Sequence, residues 1–125
     1  MANILVVEDD LASREYVRLV LEKGGHKPDC IENGQLAIDL IKRGEKYDLI
    51  ITDLMMPGVD GFDVILAIRK MSPRTKVVIV SAVQDKIPGI LRDQFQQRLK
   101  IDGTMQKPFR PAQLLTLVEE VLARR

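Results

Sequence analysis

Cysteine and histidine each occur once in this chain of 125 residues. Cys30 therefore cannot form an internal disulfide, and no His/Cys cluster exists to bind zinc. A small apolar role in a strand and a reducing cytoplasm suit the thiol. His26, set among glycines and a lysine, reads as a solvated loop residue without a role. An excess of charge of one sign is also missing. The 19 Lys and Arg face 18 Asp and Glu, a net +1 that builds no broad field for nucleic acid or an anionic membrane. No charged leader or long apolar segment is present, so neither secretion nor membrane spanning is expected. No Gly-rich phosphate loop follows the first apolar run, which argues against a nucleotide site. Repeats, low-complexity tracts and Pro/Ser-rich linkers are lacking, and the length suits one domain over residues 1–125 with no output domain.

The chain has an ordinary globular composition, 46% hydrophobic and 30% charged, organised around residues 48–61, DLIITDLMMPGVDG. Leu49, Ile50 and Ile51 deliver Asp53 to the end of an apolar run, and Pro57, Gly58 and Gly61 then turn the chain sharply. A run this short predicts a strand buried on both faces, which places Asp53 where a parallel strand leaves its sheet. Taken alone, an Asp there is more often a turn former than a reactive group. Three further runs end in the same manner: 4–7 in Glu8, Asp9 and Asp10, 77–80 in Ser81, and the weaker 103–106 in Lys107. If these strands lie parallel in one sheet, all four ends open on one crevice, the ligand-binding edge of open α/β sheets.

Between the strands the apolar spacing is helical. Residues 11–23 put Tyr16, Val17, Val20 and Leu21 on one face, with Arg14, Arg18 and Glu22 largely opposite, and Gly24 and Gly25 stop the helix. A weak strand at 28–31 carries Pro28, which suits a sheet edge. Asn33 caps a second helix that buries Leu36, Ala37, Leu40 and Ile41 and ends at Gly44. A third helix over 62–71 turns Phe62, Ile65 and Ile68 inward and stops at Ser72 and Pro73. Strand four covers 76–80, a fourth helix takes most of 84–100 with Pro88 and Gly89 disturbing its start, and strand five is short, 104–106. The last helix follows Pro111 and packs Leu114, Leu115, Val118, Val121 and Leu122. Strands and helices alternate five times, so the fold class is α/β: a flavodoxin-like, doubly wound, five-stranded parallel sheet of order 2-1-3-4-5 with helices on both faces. Its topological switch lies between strands one and three, whose ends carry Glu8, Asp9 and Asp53.

Acidic groups converging at a sheet edge repel one another, and a divalent cation relieves that repulsion. Hard oxygen donors point to Mg2+, with Mn2+ as a substitute. Asp9 and Asp53 could supply carboxylate oxygens, Met55 a main-chain carbonyl, and Glu8 a contact through water. A cation there would keep Asp53 ionised and let it attack phosphorus, forming an acyl phosphate. Lys107 could pair with one phosphoryl oxygen and Ser81 could donate a hydrogen bond to another.

Glu8 and Asp9 after ILVV, Asp53 in ITDLMMPGVDGF, Ser81 and Ala82 after VVIV, and Lys107-Pro108-Phe109 follow in order. With these motifs the chain resembles the receiver domain of bacterial two-component response regulators, of the stand-alone, chemotaxis-regulator-like kind, over essentially its whole length. The resemblance implies a phosphoacceptor switch rather than an enzyme: a sensor histidine kinase or phosphotransfer protein phosphorylates Asp53 in a Mg2+-dependent reaction. It also implies a cis bond before Pro108 and a response at the face of the fourth helix, fifth strand and last helix, where a downstream protein binds. A cytoplasmic monomer or phosphorylation-dependent dimer, without membrane or direct nucleic-acid contact, is expected. Thr104 stands where the family commonly has Tyr or Phe, and Ser81 and Lys107 lie 26 residues apart (107 minus 81), several more than is usual. Met55 and Val83 offer no side-chain hydrogen bond to a water, which predicts slow self-dephosphorylation. Two other readings compete. One is an interaction module of the same fold that no longer uses phosphate; the other is a Mg2+-dependent phosphatase of the haloacid dehalogenase type, disfavoured by Met55 at its second-Asp position and by the lack of a cap.

Overall fold

A computed structural model describes residues 1–54, 58, 61–82 and 100–124. The first apolar run forms β1 (Asn3–Val7), and α1 (Leu11–Lys23) follows after a three-residue turn. Asp10 caps α1 by accepting the Ser13 amide at 2.9 Å, and Gly24 closes it by donating back to the carbonyls of the last turn. Next come β2 (Lys27–Ile31) and α2 (Gly34–Lys42), capped by Asn33 Oδ1, which accepts the Leu36 amide. Then β3 (Leu49–Asp53), α3 (Gly61–Met71), β4 (Lys76–Ala82), β5 (Gly103–Lys107) and α4 (Pro111–Ala123) complete the described elements. Most of the predicted fourth helix, together with Met55, Pro57 and Val83, lies outside the described residues.

All five strands are parallel in the order β2-β1-β3-β4-β5, as the alternation predicts. β2, with its Pro28, is an edge strand. Successive side chains alternate between two apolar layers. Ile4, Val6, Ile51, Val78 and Val80 pack with α1 and α4, whereas Leu5, Val7, Ile50, Val77 and Ile79 pack with α2 and α3. Each such aliphatic side chain contributes about 1.5–3 kcal/mol when fully buried. The sheet is thus fixed from both sides, and its strand ends are held in register.

Three side chains depart from the pattern read in the sequence. His26 is buried, not solvated: its Nδ1 accepts the Ala2 amide at 3.3 Å and its Nε2 lies 2.7 Å from Glu119 on α4. Leu36 is 41% exposed, because it sits in the open first turn of α2 beside the cap. Tyr16 shares the α1 face but keeps its hydroxyl outside, donating to the Phe109 carbonyl at 2.9 Å. β4 and β5 each run further than predicted, so Ser81 and Lys107 belong to strands rather than to the turns after them.

Candidate functional site

Register brings the site residues together. Val7 pairs with Thr52, so Glu8 and Asp53 follow at one level on adjacent strands. Asp53 pairs with Val80, and Ala82 pairs with Lys107. Gly61 lets the chain close over the end of β3, since a Cβ there would meet the Asp53 carbonyl oxygen at 2.3 Å and the Leu54 Cα at 2.9 Å. The Gly61 amide donates to the Leu54 carbonyl at 3.1 Å, tying the start of α3 to the end of β3.

Carboxylate oxygens of Glu8, Asp9 and Asp53 lie within 4.8 Å of one another. The Lys107 ammonium joins them, donating to Glu8 and, at 3.2 Å, to Asp53. Glu8 is only 4% exposed while Asp9 faces solvent. Burial pushes the Glu8 carboxyl up to about 7 against the pull of Lys107, and the Asp53 charge adds to the rise. Burial works against the Lys107 ammonium, but its bond to Glu8 and the charge of Asp53 hold its pKa above the usual lysine value.

The loop carrying Glu8 and Asp9 is tied down locally. The Asp10 amide donates to Glu8 Oε2 at 3.3 Å, and Arg14 on α1 donates from Nη1 to the Glu8 carbonyl at 3.0 Å. The cap bond from the Ser13 amide holds the Asp10 carboxyl below its ordinary pKa. Neither Asp10 as a cap nor Arg14 was read as part of the site. The cap was legible from an Asp three residues ahead of Ser13, whereas the Arg14 contact has no signal in spacing.

A cavity of about 640 Å³ opens beside the cluster. Glu8, Asp53 and Lys107 line it together with apolar Val6, Val17 and Val80, and Tyr16 and Phe109 also contribute. Of the predicted site residues, the structure groups Glu8, Asp9, Asp53 and Lys107. Ser81 is half-buried next to Val80, but Ala82 lines the cavity and Ser81 does not. The Met55 carbonyl lies outside the described residues. The Lys107-Pro108 bond is cis, as the resemblance implied.

Three carboxylates balanced by one ammonium leave a site rich in hard oxygen donors. That donor set fits Mg2+ or Mn2+ and contains no His or Cys to favour zinc.

Comparison with known proteins agrees with the fold. Residues 4–119 match the family described as response regulator receiver domain. The chain is 32% identical to the transcriptional regulatory protein PcoR of Escherichia coli, over 99% of its own length and 53% of that protein. It is 33% identical to the probable transcriptional regulatory protein SilR of Salmonella typhimurium, covering 98% of the chain and 51% of that protein. The chain thus spans about half the length of these curated relatives. Among solved structures it superposes on the Vibrio cholerae chemotaxis protein CheY4 with a TM-score of 0.84 at 27% identity, covering 97% of this chain and 98% of that one. The receiver domain of the Francisella response regulator 1452 gives 0.83 at 26%, covering 98% and 97%.

Proposed function

Because the chain belongs to the response regulator receiver domain family, whose role is that of phosphoacceptor in two-component signalling, we propose that Asp53 is its acceptor residue. A carboxylate oxygen of Asp53 attacks phosphorus on the phosphohistidine of a sensor histidine kinase or phosphotransfer protein. The O–P bond forms, the N–P bond breaks, and the imidazole leaves with the electron pair and takes up a proton.

Glu8, Asp9 and Asp53 are the carboxylates that would hold Mg2+, with Mn2+ as a substitute and the Met55 carbonyl as a further donor. When bound, the cation screens the negative charge of acceptor and phosphoryl group. Lys107, already 3.2 Å from Asp53, moves its ammonium from carboxylate to phosphoryl oxygen as the acyl phosphate forms. Ser81 donates its hydroxyl to another phosphoryl oxygen. The added charge, close to two units, is then read at the face of β5 and α4, to which the fourth helix expected from the sequence would belong. A downstream protein binds there, with the chain as a monomer or as a phosphorylation-dependent dimer. The acceptor works in the cytoplasm and performs self-phosphorylation and self-dephosphorylation chemistry rather than enzymatic turnover. Among the described residues no helix is long and apolar enough to cross a membrane.

The observation that carries this reading is the Lys107 ammonium bridging Glu8 and Asp53 across β1, β3 and β5. Incubation with a small-molecule phosphodonor and Mg2+, followed by intact mass, tests it. Wild type gains one phosphoryl group and Asp53→Asn gains none. Equal gain in both, or no gain together with no beryllofluoride binding, would overturn the assignment.

A further inference from the structure

Lysine carries its charge on a flexible four-carbon stem, so the backbone beneath must be fixed if the ammonium is to keep one place. β5 is the edge of the sheet and pairs with β4 alone, and its ladder ends at the Ala82–Lys107 pair. Beyond that pair the chain runs through Pro108 and Phe109 to Arg110, whose amide donates to Gln113 Oε1 at 2.7 Å at the start of α4. Between these two anchors the segment is held by α1. The Tyr16 hydroxyl donates to the Phe109 carbonyl at 2.9 Å, and the two rings meet edge to face with centroids 5.6 Å apart and planes at 64°. Tyr16, Phe109, Pro108 and Lys107 line one cavity with Asp53.

We propose that Tyr16 is a positioning residue for Lys107, clamping the Lys107-Pro108-Phe109 segment to α1 so that the ammonium lies between Glu8 and Asp53. Two contacts of different kind act on one neighbour two residues from the lysine. The hydroxyl fixes the backbone and the ring fixes the side chain. Tyr16 is 38% exposed, so water competes for its hydroxyl and the ring contact carries part of the work. Thr104 on β5 is exposed and has no ring to offer, so among the described residues Tyr16 supplies the aromatic contact to this segment. The effect on phosphorylation rests on the reading of Asp53 as acceptor; the placement of Lys107 does not.

The experiment separates the two. Urea midpoints of wild type, Tyr16→Leu, Lys107→Met and the double variant are compared without Mg2+. If Tyr16 places Lys107, the double variant shifts by less than the sum of the single shifts, by about a third or more. Additive shifts would overturn the proposal. Tyr16→Phe, which keeps the ring, supplies the same cycle should Tyr16→Leu fail to fold, with a smaller deficit expected. In the second arm, Tyr16→Leu takes a phosphoryl group from a small donor about tenfold more slowly, and Tyr16→Phe recovers to within about threefold of wild type. A wild-type rate in Tyr16→Leu would overturn the proposal. Absence of uptake in wild type together with no beryllofluoride binding would sink the acceptor reading, while the midpoints would still decide the clamp.

Discussion

Asp48 and Asp53 bracket the same stretch of chain, yet Asp48 accepts the Asn3 amide at 2.8 Å while Asp53 faces Glu8, Asp9 and the Lys107 ammonium. β5 repeats the contrast. Asp102, just before it, accepts the Val77 amide at 2.8 Å and Arg69 at 3.2 Å, whereas Lys107 at its end bridges two carboxylates. His26 takes the Ala2 amide in the same way. At the base, where parallel strands begin, side-chain acceptors are spent on amides that the ladder leaves over. At the rim the Glu8 and Asp53 carboxylates share one counter-charge, the Lys107 ammonium, which a bound cation would supplement. At the base the acidic side chains are tied to backbone amides, with Arg69 beside Asp102 as a further partner; at the rim Asp53 meets the Lys107 side chain.

Substitutions at the two ends should separate accordingly. The largest effect belongs to Lys107→Met, which should slow phosphoryl uptake about a hundredfold through loss of a charge-assisted contact to the transferred group, measured by intact mass against time. A variant as fast as wild type would erase the distinction at the rim. Next, Asp102→Ala should cost about 1–3 kcal/mol in urea unfolding, since the Val77 amide loses its acceptor and Arg69 one of its several partners, while uptake stays within about twofold. Loss of uptake in a protein that remains folded would show that the two ends are not independent. Asp48→Ala should cost about 1 kcal/mol, its site being exposed, again without effect on uptake.

The smallest effect is confined to alkaline solution. Burial, then the hydrogen bond to Asp29, hold the Tyr47 hydroxyl above its usual pKa of 10.0. Tyrosine in the unfolded chain ionises from about pH 10 while the folded one stays protonated, so the unfolded state binds fewer protons and stability falls as pH rises past that point. Urea midpoints between about pH 9 and pH 11 should show this decline in wild type and a flatter line in Tyr47→Phe. Parallel lines would remove Tyr47 from the account.

Local rules read the ends of β1 and α1 correctly because a five-residue apolar run and a helical stripe need only their own neighbours to be recognised. The same rules gave Asn33 as a cap and placed Glu8, Asp9, Asp53 and Lys107 at strand ends of one sheet. They could not see His26, whose burial is made by Ala2 and by Glu119, 93 positions away. Nor could they foresee that Glu8 would be buried against Lys107, 99 positions along, instead of facing solvent beside Asp9. Leu36 differs for the opposite reason, an apolar residue at helical spacing in a turn that stays exposed. Sequence pattern reports which face a residue takes, and tertiary closure decides what it meets there.

Gly61 is defined by atoms it does not have. Its backbone rests on the carbonyl of Asp53, so even alanine would wedge open the corner where β3 meets α3. A survey of substitutions scored only by signal output would therefore flag residue 61 as sharply as residue 53. Residue 53 is the proposed acceptor; residue 61 keeps the room around it.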